Sequence, residues 1–270
     1  MIYICIPSYN EGTTIGVLLW RIRKVFQGYS REYEILVYDD GSTDGTAEIL
    51  APYGEIAPLT VLRSETRKGY ANALDVLARE ASKRTKYPRR DAMIVMQGDF
   101  TDQPELLPEL IKRFEGGADI VIGERTSTND PVPVRRLRRL APWAIRFSLA
   151  SNELADPFAS FRLFRISLVR ELIKSAPDKP LAATNGWAAN LELLLAALPL
   201  ARRAERVELA SRYDLRVRES RIKPFPDAMA LYRFGRTMKG KRVALPSQPV
   251  LADQAGSGSR GARGKERVTS

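Results

Sequence analysis

Histidine is absent from all 270 residues, and cysteine occurs once, at Cys5. The first absence removes His-based nucleophilic triads, imidazole zinc sites and imidazole general bases together. Any chemistry must rest on carboxylates, Arg, Lys or a metal held by oxygen. The second excludes an internal disulfide and fits a reducing compartment, and the apolar run around Cys5 marks it as core. Long apolar runs are missing too. None approaches the roughly 20 residues that span a bilayer, and Met1 leads into a strand-like segment without a basic leader or cleavage site. Acidic residues are outnumbered, 32 against 43 Lys and Arg, giving a formal charge of +11. That excess predicts attraction to polyanions: nucleic acid, anionic lipid or phosphorylated substrates.

What is present alternates. Short β-branched or apolar runs at 2–6, 34–38, 59–63, 92–96 and 119–123 read as strands, and the segments 13–27, 43–51, 70–84 and 104–115 between them read as helices. Such alternation predicts an α/β fold, a mainly parallel sheet sandwiched by helices, with a ligand crevice at the C-terminal strand ends. The second half is less regular: a basic stretch over 131–151, a strand at 160–165, helices near 166–175 and 186–198, a strand near 206–213 and a helical segment near 226–238. It reads as an acceptor-side extension, so that 1–125 and 126–245 form two halves of one domain, 1–245. Residues 246–270, rich in Gly, Ser and charge, read as a disordered tail.

Three strand ends carry the polar residues. The first reads "IPSYNEGTTI", where Asn10-Glu11-Gly12 makes a turn and Thr13 or Thr14 can cap a helix. The second reads "YDDGSTDGT": Asp39 and Asp40 leave the strand together, Gly41 allows a tight turn, and Ser42 or Thr43 can cap. The third is "VMQGDFTDQPE", with Gln97, Asp99 and Asp102 following an apolar strand. Asp102 reads either as a helix cap ahead of Pro104 or as a water-mediated metal contact. Before the fourth helix, "RKGYANAL" sets Arg67, Lys68 and Gly69 at a helix N-terminus, a combination suited to a diphosphate.

Taken in order, "PSYNE", "DDGSTDGT", "TRKGYANAL", Asp99, "GERT" and "DPFASFRLFR" resemble the family 2 glycosyltransferases of the GT-A fold. The last block is similar to an element of the branch that includes dolichol-phosphate mannosyltransferases and polyprenyl-phosphate glycosyltransferases. It departs from that pattern at Ala159, where Gly is usual. The similarity extends over about residues 1–225. It implies that Pro7, Tyr9 and Glu11 line the base and ribose side of a nucleotide pocket, that Asp39 holds the nucleoside, and that Lys68 and Arg221 lie near the diphosphate. It also implies a Mg2+ or Mn2+ site in the third loop. There Gln97 stands for the first acid of the family's acidic pair and Asp99 for the second, a set with less charge and a weaker hold on the metal. Asp99, Arg125 and Arg162 are the expected catalytic residues, the two arginines near phosphates, where a guanidinium fork fits phosphate oxygens.

By the same resemblance the protein is an inverting transferase that moves a sugar from a nucleotide-sugar donor, GDP-mannose or a UDP-hexose, to polyprenyl or dolichyl phosphate. A hydroxyl acceptor normally needs a carboxylate base, and Glu192, in an apolar helix, is a poor one. A phosphate acceptor is already anionic and needs none. Arg135, Arg136, Arg138 and Arg139 interleave with Leu137, Leu140, Trp143, Ile145 and Phe147, a composition suited either to an interfacial helix on anionic lipid or to a core helix with a basic face. The expected location is cytoplasmic and peripheral, at the inner face of a membrane, with no transmembrane helix. Two other readings stay open: transfer to a soluble hydroxyl acceptor, and non-catalytic binding of nucleotide-sugar or nucleic acid. No recognised nucleic-acid module supports the latter.

Overall fold

The computed structural model describes residues 1–125, 159–184, 186 and 188–209, together with positions 229, 233 and 236. The basic stretch, the late segment with Arg221 and the tail lie outside the described residues. Seven strands form one sheet in the order β3-β2-β1-β4-β6-β5-β7. They are β1 (Ile2–Ser8), β2 (Tyr33–Asp40), β3 (Leu59–Ser64), β4 (Ala92–Val95), β5 (Ile120–Arg125), β6 (Arg162–Arg165) and β7 (Ala204–Leu209). All neighbours are parallel except β6, which runs antiparallel to both β4 and β5. The expected α/β sandwich is therefore the architecture observed.

The strands are apolar on both faces because both are covered. Tyr3, Cys5, Leu36, Tyr38, Met93 and Val95 point to one side. There they meet helices α4 (Tyr70–Arg84), α6 (Ile166–Ser175) and α7 (Ala188–Ala197). Ile2, Ile4, Ile6, Ile35, Val37 and Ile94 point to the other, against α1 (Ile15–Gln27) and α5 (Leu107–Glu115). Two short helices, α2 (Thr46–Leu50) and α3 (Tyr53–Ile56), carry the chain from β2 to β3. Helix α5 buries Leu107, Leu110, Ile111 and Phe114, one stripe at helical spacing, and two glycines at 116 and 117 stop it. Helix α7 is buried on nearly all sides, which its Leu/Ala composition permits. Cys5 is core as expected, and burial pushes its thiol pKa up, away from thiolate reactivity.

Strand order starts at β1 and reaches one way to β2 and β3, the other way to β4. The chain thus switches direction between β1 and β4, the position where open α/β sheets place a crevice at the carboxyl ends of their strands. The opposite end of the sheet is stapled by Arg165. Its Nε donates to Asp119 Oδ1 at 2.6 Å, its Nη2 donates to the Ala118 carbonyl at 2.8 Å, and its guanidinium lies 4.4 Å from the Phe114 ring centroid. Among the described residues no helix is long and apolar enough to cross a membrane.

Candidate active site

Strand pairing aligns the polar residues before any loop begins. Ser8 is level with Asp39, and Asp39 with Arg63, so three adjacent strands end in one row. β1 and β2 run two residues beyond the apolar runs that announce them, because parallel pairing continues from Pro7 and Ser8 to Tyr38 and Asp39, and from Asp40 to Ser64 of β3.

The first two loops are fastened to each other. Asn10, held at φ 51°, donates its N–H to Ser42 Oγ at 2.9 Å, and its Oδ1 accepts the Thr43 N–H at 2.9 Å. The Glu11 N–H donates to Thr46 Oγ1 at 3.0 Å, and the Gly12 N–H to Asp44 Oδ2 at 3.0 Å. These bonds correct the expected caps. Helix α1 starts after Thr14 without a side-chain cap, and the Thr14 hydroxyl turns back to the Glu11 carbonyl and carboxylate, both at 3.2 Å. Ser42 and Thr43 serve the neighbouring loop, and α2 begins later, after Gly45. Burial alone pushes the Asp44 carboxyl upward. Hydrogen bonds from the Thr46 side chain and from the Gly12 and Thr46 N–H groups outweigh it, and the net pKa lies below the ordinary 3.8.

Asp39 and Asp40 take different roles. Asp40 accepts the N–H groups of Lys68 at 2.7 Å and Gly69 at 2.8 Å, bracing the entry to α4. Those N–H groups were candidates for a diphosphate and are already used, which leaves the exposed Lys68 side chain as the available cation. Asp39 is 0% exposed; its Oδ1 accepts the Ser42 N–H at 3.1 Å, while its Oδ2 is buried with no hydrogen-bond partner among the described residues. Arg63 Nε stands 3.4 Å from that Oδ2, outside hydrogen-bond geometry, on a side chain 54% exposed and screened by water. A carboxyl oxygen buried in that state is costly unless a donor arrives. Beside it, the Arg67 guanidinium lies 4.1 Å from the Tyr9 ring centroid.

The third loop is pinned at three points. The Gln97 N–H donates to Asp102 Oδ2 at 2.8 Å, and Ser160 Oγ donates to the same oxygen at 2.8 Å. Asp102 is thus a buried brace between the loop and the segment before β6, whereas the cap position ahead of Pro104 belongs to Gln103. Phe100, at φ 62°, adopts a backbone conformation that bulky residues avoid, and its ring is buried in the core beneath α1 and α5. A Cβ on Gly98 would come within 3.3 Å of Glu11 Cγ, so this loop lies against the first. Asp99 Oδ1 accepts the Thr101 N–H at 3.1 Å and also the Thr101 hydroxyl.

Gln97, Asp99, Glu11 and Tyr9, on loops, and Asp39, at the end of β2, are thereby gathered at one end of the sheet. Arg162, by contrast, is 1% exposed inside the sheet, with Nη1 donating to the Asn190 carbonyl in α7. Arg125 ends β5, level with Leu209 of β7. Arg221 lies outside the described residues. Glu192, the weak base candidate, accepts the N–H groups of Ala183 at 3.0 Å and Thr184 at 2.9 Å, a structural duty. Sequence reasoning gave no role to Tyr70, whose hydroxyl touches Gln97. Its only signal was its place after Gly69 in "RKGYANAL".

Among the described residues no three His, Cys, Asp or Glu side chains cluster as a metal site. Asp99 and Gln97 still fit a hard divalent cation. They supply one carboxylate and one amide oxygen, enough for an ion that takes its remaining ligands from a diphosphate and water.

A family model described as "Glycosyl transferase family 2" matches residues 3–173. Over 227 residues the chain is 28% identical to a dolichol-phosphate mannosyltransferase of Pyrococcus furiosus, covering 82% of this chain and 58% of that protein. Over 183 residues it is 29% identical to a prophage bactoprenol glucosyl transferase homolog of Escherichia coli, covering 67% and 56% respectively. The chain therefore spans little more than half the length of these relatives. Glucosyl-3-phosphoglycerate synthase of Mycobacterium tuberculosis, crystallised with Mn2+, UDP and phosphoglyceric acid, superposes with a TM-score of 0.59 at 20% identity, over 88% of this chain and 76% of that one. At that identity the likeness establishes a common fold.

Proposed function

Because the chain belongs to glycosyltransferase family 2 and has the GT-A fold, we propose that it transfers a sugar, with inversion, from a nucleotide-sugar donor to a polyprenyl or dolichyl phosphate. The observation that carries this reading is the buried, half-satisfied Asp39 carboxylate at the C-terminal end of β2, next to the strand β1 that borders the switch point. Its Oδ2 is an acceptor awaiting a donor, and the N–H groups of a nucleobase or the hydroxyls of a ribose supply one. Tyr9 and Glu11 stand on the adjoining loop, Pro7 lies just before it in β1, and the exposed Lys68 offers a cation to the diphosphate. The acceptor class is supported by the names of the two relatives, one a dolichol-phosphate and one a bactoprenol transferase.

In this reading each residue acts by position. Asp39 fixes the nucleoside end of the donor, and the interlocked first and second loops hold Asp39 and Glu11 in place without rearrangement. Asp99 and Gln97 would hold Mg2+ or Mn2+, which supplies positive charge to the departing nucleoside diphosphate. A lipid phosphate oxygen, already ionised, attacks the sugar carbon from the face opposite the diphosphate, so no residue has to remove a proton. Arg125 and Arg162 remain our assigned phosphate-side residues. For Arg162 this requires the phosphate to reach a guanidinium inside the sheet. Work on a lipid phosphate places the protein at an anionic membrane surface, peripheral on its cytoplasmic side, to which the net positive charge is suited.

The test is a donor panel of GDP-mannose, UDP-glucose and UDP-GlcNAc, each sugar-labelled, with polyprenyl phosphate, with and without Mn2+. Label is expected in the organic phase from one donor, with stimulation by Mn2+. Absence of lipid-phase label from every donor would refute the proposal, and label on an aqueous glycan would assign a hydroxyl acceptor instead.

A further inference from the structure

Tyr70 opens helix α4, and its hydroxyl stands between two amides. It donates to Asn190 Oδ1 at 2.9 Å and accepts from Gln97 Nε2 at 3.2 Å. A phenol has one proton to give. With that proton directed at Asn190, the oxygen faces residue 97 with lone pairs, and Gln97 has to present its NH2 group. The other end of the amide, Oε1, is then turned away from Tyr70. The main chain at this position is fixed separately, by the N–H bond to Asp102, so the side chain is anchored at both ends of its reach. Asn190 is itself buried in α7, and its carbonyl accepts Arg162 Nη1.

We infer that Tyr70 is a positioning residue that sets what Gln97 offers the metal corner: by taking the NH2 group, it turns the amide oxygen, rather than an N–H, toward the side of Asp99. The inference rests on the nucleotide-sugar reading of the site and deepens it. An amide is a ligand to a hard cation only through its oxygen, and the opposite orientation would aim N–H dipoles at positive charge. The same polarity explains why an amide suits position 97. A carboxylate there has no proton to donate, so Tyr70 would have to withdraw its own from Asn190. Gln97, Tyr70 and Asn190 therefore form one unit, linking the third loop to the helix that receives Arg162.

The experiment measures equilibrium binding of GDP and of UDP by calorimetry, with and without Mn2+, for the full chain and for Tyr70→Phe and Asn190→Ala. Melting curves confirm that each variant is folded. The readout is the ratio of nucleotide Kd without Mn2+ to Kd with it. Tyr70→Phe is expected to lower that ratio by about 10-fold, the scale on which losing a ligand's hydrogen-bond partner weakens metal sites. Its Kd without Mn2+ should stay within about twofold, since the nucleoside contacts are elsewhere. Asn190→Ala should act in the same direction, because it frees the Tyr70 proton to turn toward Gln97 and flip the amide. An equal loss with and without Mn2+ would mark Tyr70 as merely structural and overturn the inference, as would an unchanged ratio in folded Tyr70→Phe. If the unaltered protein binds nucleotide with no Mn2+ effect, the inference fails alone. If it binds neither nucleotide, the reading of the whole site fails with it.

Discussion

Gly41 and Gly45 form a natural pair for separating backbone conformation from crowding, because both have positive φ, +70° and +81°, and only one is crowded. A Cβ at Gly41 would lie 2.9 Å from the Thr66 carbonyl carbon and 3.0 Å from the Arg67 nitrogen. Both are main-chain atoms, which cannot rotate aside as a side chain does. At Gly45 the nearest atom is the Glu48 carboxylate oxygen, 3.8 Å away in ordinary contact. Left-handed backbone costs an L-residue about 1 to 2 kcal/mol, and forcing an extra methyl into packed surroundings adds about 1 to 3 kcal/mol. Gly45→Ala should therefore lose about 1 to 2 kcal/mol and Gly41→Ala about 2 to 5 kcal/mol, read as a shift in urea midpoint at constant m-value. The crowded backbone carries Arg67, whose guanidinium lies over Tyr9, so Gly41→Ala should also weaken nucleotide binding while Gly45→Ala leaves it near the original value. Equal stability losses in the two variants would refute the claim that the second loop is seated against residues 66 and 67.

Asp39→Asn keeps an oxygen for the Ser42 N–H but puts an NH2 group where the orphaned Oδ2 now waits. Nucleotide affinity should fall by about 10-fold to 100-fold, the worth of a charge-assisted hydrogen bond, and an unchanged Kd by calorimetry would remove Asp39 from the site. Asp44 links stability to pH. Its folded pKa is lowered, so its contribution is present above the unfolded value near 3.8 and is lost as pH falls through the folded one. Urea midpoints measured from pH 6 down to pH 3 should drop less steeply for Asp44→Asn than for the unaltered chain, and parallel profiles would contradict the bonding described for the Gly12 and Thr46 N–H groups.

Periodicity made the layers legible. The short apolar runs of β1 and β2 mark strands buried on both faces, the apolar stripes of α4 and α5 mark the helix faces that cover the sheet, and those elements lie where their patterns place them. Motif order made the acidic strand ends legible as a site. What escaped were partners distant in sequence. A Ser or Thr shortly before a helix reads as a cap because capping is local, yet Ser42 and Thr46 bond to a loop more than thirty residues earlier. Asp102 was read through Pro104 beside it, while one of its actual partners, Ser160, is 58 residues away. Tyr70 offers no signal beyond its place after Gly69, since a tyrosine at a helix start is commonplace and its meaning lies in Gln97 and Asn190. The lysine and glycine N–H groups before α4 were read as free because nothing in the local sequence shows that Asp40 reaches across to them.

The pinning of the third loop bears on how such a site changes over evolutionary time. Phe100 anchors the loop from below, and Asp102 holds it from behind through the main-chain N–H of Gln97, leaving the side-chain amide to Tyr70. Position 97 is therefore a socket whose shape does not depend on what fills it. A lineage can trade acid for amide there without rebuilding the loop. Whoever re-engineers the protein inherits the same freedom, provided the tyrosine behind the socket is changed to match.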